Sequence, residues 1–428
     1  MKSLEILQQE LESGALDGRL RPLCGPDSAE LVHKRSRLAA LAETYRTTFG
    51  AGGEVGLFSS PGRTEMGGNH TDHQHGCVLA GAVNMDMLAC AGANGTAVAR
   101  VLSAGYPELS VDLTDLTPRP EEEGTSAALV RGIAERFRAL GYPVAGFNAC
   151  IDSEVLGGSG LSSSAAYEVM IGVILNHLFC EDAVSLVQIA QIGQYAENHF
   201  FGKPCGLMDQ LASAVGGIVS IDFNDPANPV VNKIDYDLAS SGYALCIIDS
   251  GADHADLTAE YAALPAEMGA AAACFGKQFL RDVEEADFWA NLALVREKAG
   301  DRAALRAMHF FSDNQDAVKQ AEALDRDDFV RFLALVNRSG TSSATRLQNL
   351  YCTARPQEQA VPMTIALAQH LLDGEGAVRV HGGGFAGTVQ AYVPMARCEA
   401  FRTGMEAVLG TGCCHFLFIR PEGGAVIA

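Results

Sequence analysis

Positive charge is scarce in this chain. Its 428 residues carry 31 Lys and Arg against 52 Asp and Glu, a formal net charge of −21. Such a surface repels phosphate backbones and anionic lipid, which argues against a dedicated binder of nucleic acid or membrane surfaces. Any phosphate-bearing ligand must be attracted locally, by amide groups, a metal ion or a few placed cations. Long apolar runs are missing too, since none approaches the roughly 18 residues of a membrane helix. The opening MKSLEILQQELESGALDGRL intersperses acids and lacks the basic start and unbroken apolar core of a signal peptide. The twelve cysteines form no CxxC pair; Cys90, Cys150 and Cys246 sit singly in apolar stretches, where a thiol acts as a small hydrophobe. A reducing, cytoplasmic compartment is the expectation. No internal repeat or low-complexity tail is present, and 48% hydrophobic residues argue against a fibrous or wholly disordered chain.

What is present mixes helical and strand-like segments. At roughly 100–200 residues per domain, the length suggests two or three domains. Leu31, Leu38, Leu41 and Tyr45 fall near helical spacing and predict a helix over 27–50. GEVGLFSSPGR predicts a short strand entering a turn, and residues 77–91 and 97–103 predict further strands. Leu129, Ile133 and Phe137 predict a helix over 126–140. A short apolar run at 145–151 and helices over 164–179, 185–199 and 207–215 follow. Strand-like GIVSIDF and YALCIID flank the turn-rich NDPANP, so a seam falls near 225–242 and divides the chain into 1–235 and 236–428. Residues 256–370 read as mostly helical, before the strands AVRVH and AYVP, a helix over 396–409 and a last strand CHFLFIRP. Without regular βαβ alternation, the fold class is α+β in two domains rather than one doubly wound sheet.

Four segments carry chemistry. PGRTEMGGNHTDHQHG, residues 61–76, packs Arg63, Glu65, Asn69, His70, Asp72, His73 and His75 behind a Pro-Gly pair. It reads as a polyol site, whose carboxylate, imidazole and amide groups meet several hydroxyls at once, as a zinc-type metal site, or as a solvated loop. GGSGLSSSAAYEV, residues 157–169, bares backbone N–H groups ahead of a helix and suits an anion or, through a hydroxyl, Mg²⁺; its plain reading is a Ser helix cap. It lacks the GK[ST] of a Walker loop. HGGGFAGTVQ formally contains GxGxxG at Gly382, Gly384 and Gly387, but too little chain follows to build a dinucleotide fold. AENHFFGKPCGLMDQ sets Glu197 on a helix and Asp209 near the start of the next, either as a first-turn acid favoured by the dipole or as a base for a hydroxyl substrate.

In this order, the four segments resemble the galactokinase branch of the galactokinase–homoserine kinase–mevalonate kinase (GHMP) family. That branch typically shows PGRxNLIGEHTDYNxG, GLSSSAS or GLSSSAA, PCGIMDQ and GxGFGG. Here they read PGRTEMGGNHTDHQHG, GLSSSAA, PCGLMDQ and GGGFAG, with weaker echoes at ETYRTTFG and RAMHFFSDN. The resemblance implies an N-terminal S5-like α/β domain and a C-terminal ferredoxin-like α+β domain with the active site in the cleft between them. It implies that Asp209 contacts the anomeric hydroxyl as base or positioner, and that Arg63 keeps it ionised and stabilises the transferring phosphoryl group. Ser164 and Glu197 would hold Mg²⁺. Gly158, Ser159, Gly160, Leu161, Ser162, Ser163 and Ser164 would cradle the ATP phosphates, and His70 and Asp72 would meet sugar hydroxyls.

The chain departs from the family on the sugar side. Asn69 stands where the family has Glu, and His73-Gln74 replace Tyr-Asn. In DSGADHADLTAEYAALPAE, Tyr261 remains but the family's arginines and Asn are gone; Ala386 replaces a glycine. The resemblance therefore implies an ATP- and Mg²⁺-dependent kinase for the anomeric hydroxyl of galactose or a close monosaccharide, with Asn69 and Tyr261 among its sugar contacts. Its partners would be a sugar and ATP, with no nucleic acid and no membrane; a monomer is compatible. The alternatives are another sugar or cyclic polyol as substrate, or a silent sensor of sugar and ATP. The metal-hydrolase reading of His70–His75 recedes, because His70 and Asp72 have a use in the family.

Overall fold

The computed structural model describes residues 1–25, 27–155, 160–252 and 257–428. Two sheets organise them. The larger has nine strands among the described residues and runs Lys2–Ser3, Glu54–Gly67, Cys77–Ala93, Phe147–Ser153, Val98–Ser103, Leu109–Asp112 across space. Ile218–Asp222 and Val230–Ile234 extend it from Cys77–Ala93, and Ala425–Val426 pairs with Glu54–Gly67. Val98–Ser103 and Phe147–Ser153 run parallel; the other strand pairs are antiparallel.

Both faces of this sheet are covered, which is why its strands read as nearly unbroken apolar runs. Successive side chains alternate between faces. Phe58, Ala89 and Ile151 face a core built with the helices Ser126–Ala139, Ser163–Phe179, Leu186–Ala196 and Met208–Val215. Leu57, Leu88, Cys90 and Cys150 face a second core. That second core is closed by the expected helix Ser28–Phe49 and by two that the sequence reading passed over, Leu4–Ser13 and Asp17–Cys24. Their signal was present: Leu4, Leu7 and Leu11 lie on one helical face between the Ser3 cap and a left-handed Gly14.

The smaller sheet is antiparallel, in the order Ala377–Val380, Thr388–Pro394, Tyr243–Asp249, Cys414–Leu417. Leu245 and Ile247 join the large core, while Cys246 and Ile248 pack on the opposite face with Phe401 and Met405. The helix Asp301–Asp325 bridges the two halves, with Phe310 in a satellite core and Leu324 in the large one. Position 235 lies between the strands of the two sheets, but the last residues cross back. Buried Arg420 donates to Asp86 at 3.0 Å and Ser59 at 2.7 Å.

Two local corrections matter for the site. The expected Pro-Gly turn is no turn: the strand continues from Glu54 to Gly67. Pro61 offers no N–H to the ladder, and the register slips between Pro61 and Arg63. There the Arg63 N–H leaves the sheet and donates to the Leu161 carbonyl at 3.0 Å. The expected helix over 185–199 stops at Ala196 and gives way to a π-helical turn, Glu197–Phe201, closed by Gly202. Such turns are rare and recur at functional sites.

Candidate active site

The slip at Pro61 aims Arg63 at the start of the helix Met208–Val215. Its Nε donates to Asp209 Oδ1 at 2.6 Å, its Nη2 to Asp209 Oδ2 at 2.9 Å, and its Nη1 to the Gly160 carbonyl at 2.5 Å. Ser162 Oγ also donates to Asp209 Oδ2. Burial alone would push the Asp209 carboxyl up, but Arg63, by charge and hydrogen bonds, and Ser162 outweigh it and hold the carboxyl below its ordinary value. Arg63 is buried, whereas 31% of the Asp209 side chain remains exposed, so an ionised and oriented carboxylate is still reachable from solvent.

Gly158 and Ser159 of the expected nucleotide loop lie outside the described residues. Gly160 adopts a φ of +72°, and a Cβ there would lie 2.2 Å from Thr388 Oγ1, so the loop is pressed against the smaller sheet and only glycine fits. Leu161 is buried in the large core and its carbonyl accepts from Arg63; neither side chain nor carbonyl is turned to a ligand. Ser162 occupies the cap position of the helix Ser163–Phe179 with a left-handed φ of 57° and no capping side-chain hydrogen bond, because its hydroxyl is engaged by Asp209. Among the described residues, the first N–H groups of that helix, from Ser163 and Ser164, are thus left without a side-chain cap. An uncapped helix start favours an anion.

Behind Asp209 lies a second acidic group. Glu197 is buried, with Lys203 Nζ at 3.3 Å from Oε1 and Gln210 Nε2 at 3.0 Å from Oε2. Gln210 Nε2 also donates to Glu168 Oε2 at 2.9 Å. Burial and the neighbouring Glu197 push the Glu168 carboxyl well up. Ser164 and Glu168 are four residues apart and share one face of their helix. Glu197 brings carboxylate oxygens and Ser164 a hydroxyl at the helix start, hard donors of the kind that suit a Mg²⁺ keeping most of its waters, while Glu168 Oε1 has no hydrogen-bond partner among the described residues.

The sugar-side candidates meet on the glycine turn after Ala377–Val380. His70 Nε2 lies 2.9 Å from the Gly383 carbonyl. Burial and His73 push the His70 imidazole down to about 4, so the neutral ring donates from Nε2 and keeps Nδ1 as an acceptor. The Tyr261 hydroxyl donates to the Gly384 carbonyl at 2.7 Å, and its ring lies where a Cβ on Gly383 would be, 2.7 Å from Cε1. Asp72 Oδ1 accepts from the His73 N–H at 2.9 Å, and Asp72 abuts Gly206, three residues before Asp209. Asn69 meets the same glycine turn but lies beneath it, inside the protein. It is fully buried: Nδ2 donates to Glu65 Oε1 at 3.0 Å and the Gly382 carbonyl at 2.8 Å, while Oδ1 accepts from Asn349 at 2.9 Å and Ser343 at 3.3 Å. That fills its hydrogen-bonding capacity within the protein.

Comparison with known proteins places the chain in a family. Residues 128–217 match the GHMP kinases N terminal domain, and residues 43–93 match the galactokinase galactose-binding signature. The chain is 32% identical over 367 residues to a galactokinase from Glaesserella parasuis serovar 5, covering 84% of this chain and 90% of that one. It is 30% identical over 394 residues to a galactokinase from Streptomyces coelicolor, covering 90% and 97%. The chain belongs to the galactokinase family. Its fold is that family's: the crystal structure of Lactococcus lactis galactokinase complexed with galactose superposes with a TM-score of 0.78 at 25% identity, covering 91% of this chain and 99% of that one.

Set beside the galactokinase pattern, one detail was not read from the sequence. The pattern has Asn at position 65 and Glu at 69; this chain has Glu65 and Asn69, and the two are hydrogen-bonded partners. The carboxylate has changed places with the amide. Glu65 now pairs with buried Arg379, Nη2 to Oε1 at 2.5 Å. Other polar residues that pack around these groups were missed because they lie far away in sequence. His309 Nε2 lies 2.9 Å from the Asn69 carbonyl, and Asp313 Oδ2 accepts the Asn69 N–H at 2.7 Å. His381 joins Thr64, at 3.1 Å from Nε2, to Thr388, at 2.9 Å from Nδ1. Only the echo RAMHFFSDN hinted at the first two.

Proposed function

We propose that this chain transfers the γ-phosphoryl group of ATP to the anomeric hydroxyl of galactose or a closely related monosaccharide. The observation that carries the reading is the fork of Arg63 on Asp209 beside an uncapped helix start. Phosphoryl transfer needs mainly positioning and stabilisation of charge. Asp209 accepts the hydrogen bond of the attacking hydroxyl and orients it or takes its proton; Arg63 holds that carboxylate ionised and faces the charge on the transferring group. The N–H groups at Gly160, Ser162, Ser163 and Ser164 hold phosphate oxygens, with Gly158 and Ser159 completing the loop. Ser164 and Glu197 would hold Mg²⁺, which when bound neutralises charge on the β- and γ-phosphates. His70, Asp72 and Tyr261 border the sugar. Asn69, expected among the contacts, acts instead by holding Glu65 and the glycine turn.

This reading answers the charge constraint, since amides, one arginine and a divalent cation attract ATP to an acidic protein. It includes a cytoplasmic location, in keeping with twelve free cysteines. No helix among the described residues is long and apolar enough to cross a membrane. The exchange of Glu65 and Asn69 favours, as a second reading, a sugar or cyclic polyol other than galactose. The test is ATP consumption across a panel of free sugars with Mg²⁺, beside Asp209→Asn. Turnover should fall at least about 100-fold in the variant while ATP still binds. Equal rates in both proteins would overturn the role of Asp209.

A further inference from the structure

Glu168 has no place in the reading above, yet the structure spends three helices on it. It projects from Ser163–Phe179, one turn after Ser164, and is completely buried. Gly193 of Leu186–Ala196 makes room for it: a Cβ at that glycine would stand 3.0 Å from both Glu168 Cβ and Oε2. From Met208–Val215, a single amide donor, Gln210 Nε2, serves Glu168 Oε2 at 2.9 Å and Glu197 Oε2 at 3.0 Å. Among the described residues no cation lies within ion-pair distance of Glu168, whereas Glu197 has Lys203. A carboxyl this deep is a poor way to join three helices, because an apolar side chain of the same volume packs there without desolvating a polar group.

We propose that Glu168 is a positioning residue: through Gln210 it fixes the direction in which Glu197 presents its carboxylate to the divalent cation. The inference rests on the reading of Glu197 as a metal ligand. The two strong acceptors of this N–H₂ group are carboxylate oxygens, with Cys205 Sγ a weaker third at 3.6 Å, so the Gln210 amide is held on one side by Glu168 and on the other holds Glu197 Oε2. Without Glu168, the amide is left with Glu197 and the weaker acceptor Cys205 Sγ at 3.6 Å, and Glu197 with the exposed Lys203. The same amide belongs to the residue after Asp209, so the cation ligand and the carboxylate that meets the sugar are braced on adjacent positions of one short helix. Partners behind a metal ligand commonly govern its affinity by about 10–100-fold when removed.

The test measures binding rather than turnover. ATP binding to the sugar-free protein is followed by calorimetry at increasing Mg²⁺ for the unaltered chain, Glu168→Leu, Glu168→Gln and Glu197→Gln. Glu168→Leu keeps the volume and removes the acceptor; its Mg²⁺ midpoint should rise about 10-fold or more. Glu168→Gln restores an acceptor for Gln210 and should bring the midpoint back to within about 3-fold. Thermal unfolding is read in parallel. A Glu168→Leu protein that melts differently but keeps the original midpoint overturns the proposal, because a purely structural acid would behave that way. A midpoint unmoved in Glu197→Gln overturns the assignment of Glu197 itself; one moved there but unmoved in Glu168→Leu overturns the positioning role alone.

Discussion

Arg63 and Asp209 form a two-toothed contact, Nε on Oδ1 and Nη2 on Oδ2, although 145 residues separate them in the chain. Both teeth are possible because Arg63 follows the break that Pro61 makes in the strand ladder, which lets its backbone approach the serine loop. The arginine thereby touches the carboxylate and the loop at once.

Arg63→Lys keeps a positive charge but lacks the planar fork. Turnover should drop by about 10²-fold. With fewer hydrogen bonds to its ionised form, the Asp209 carboxyl rises toward its ordinary value, so the acid limb of the pH–rate profile should move to higher pH. A limb that stays in place would mean that another group controls it.

Exchanging Glu65 and Asn69 one at a time should be worse than exchanging both. Glu65→Asn leaves Arg379 buried without its carboxylate, at a cost of about 3–5 kcal/mol. Asn69→Glu sets two carboxylates side by side and costs about 1–3 kcal/mol. The double exchange rebuilds the carboxylate–amide pair with its roles reversed, so the double-mutant cycle by urea unfolding should show a favourable coupling of at least about 1 kcal/mol. Sugar preference of the double variant should move toward galactose, and an unchanged preference would place specificity elsewhere.

Gly160→Ala forces an L residue into a left-handed conformation and drives a Cβ into Thr388. The backbone strain alone is worth about 1–2 kcal/mol. The loop should back away from the smaller sheet, and the KM for ATP should rise more than that for sugar. Initial-rate kinetics with each substrate varied in turn would check this.

Asp86→Asn tests the tie between the chain's two ends. Burial would raise the Asp86 carboxyl, but Lys34, Arg420 and Arg37 outweigh it and hold it low. Removing the charge leaves buried Lys34 and Arg420 without a carboxylate, while Arg37 keeps Asp152 and Glu154, and should cost about 3–5 kcal/mol at neutral pH, measured by chemical unfolding. A carboxyl held low stabilises the fold above its unfolded value and stops doing so as pH falls through its folded value. The gap between the two proteins should therefore narrow on acidification.

Much of this molecule could be read before any coordinates. Apolar periodicity placed the helix Ser28–Phe49, the helix at Ser126–Ala139 and the strands around Cys77–Ala93, because one face or both must be buried whatever the neighbours are. The serine loop and PCGLMDQ stood out through their resemblance to galactokinase motifs; their residue types alone left a helix cap and a first-turn acid as open as a phosphate cradle and a base. The two opening helices were passed over though their pattern was plain. The strand through Pro61 and Gly62 was misread as a turn, since a Pro-Gly pair more often ends a strand than bends one.

Local composition alone determined which residue types stand ready for chemistry: a short list of acids, hydroxyls and one arginine in a chain otherwise poor in positive charge. Which of them touch was decided only by folding. Asn69 looked like a sugar contact until Glu65, Gly382, Ser343 and Asn349 closed around it, and Glu168 looked like one more helix residue until Gln210 tied it to Glu197. The physical reason is that a hydrogen bond depends on tenths of an ångström between atoms that the chain separates by up to hundreds of residues, and no periodicity along the chain encodes that distance.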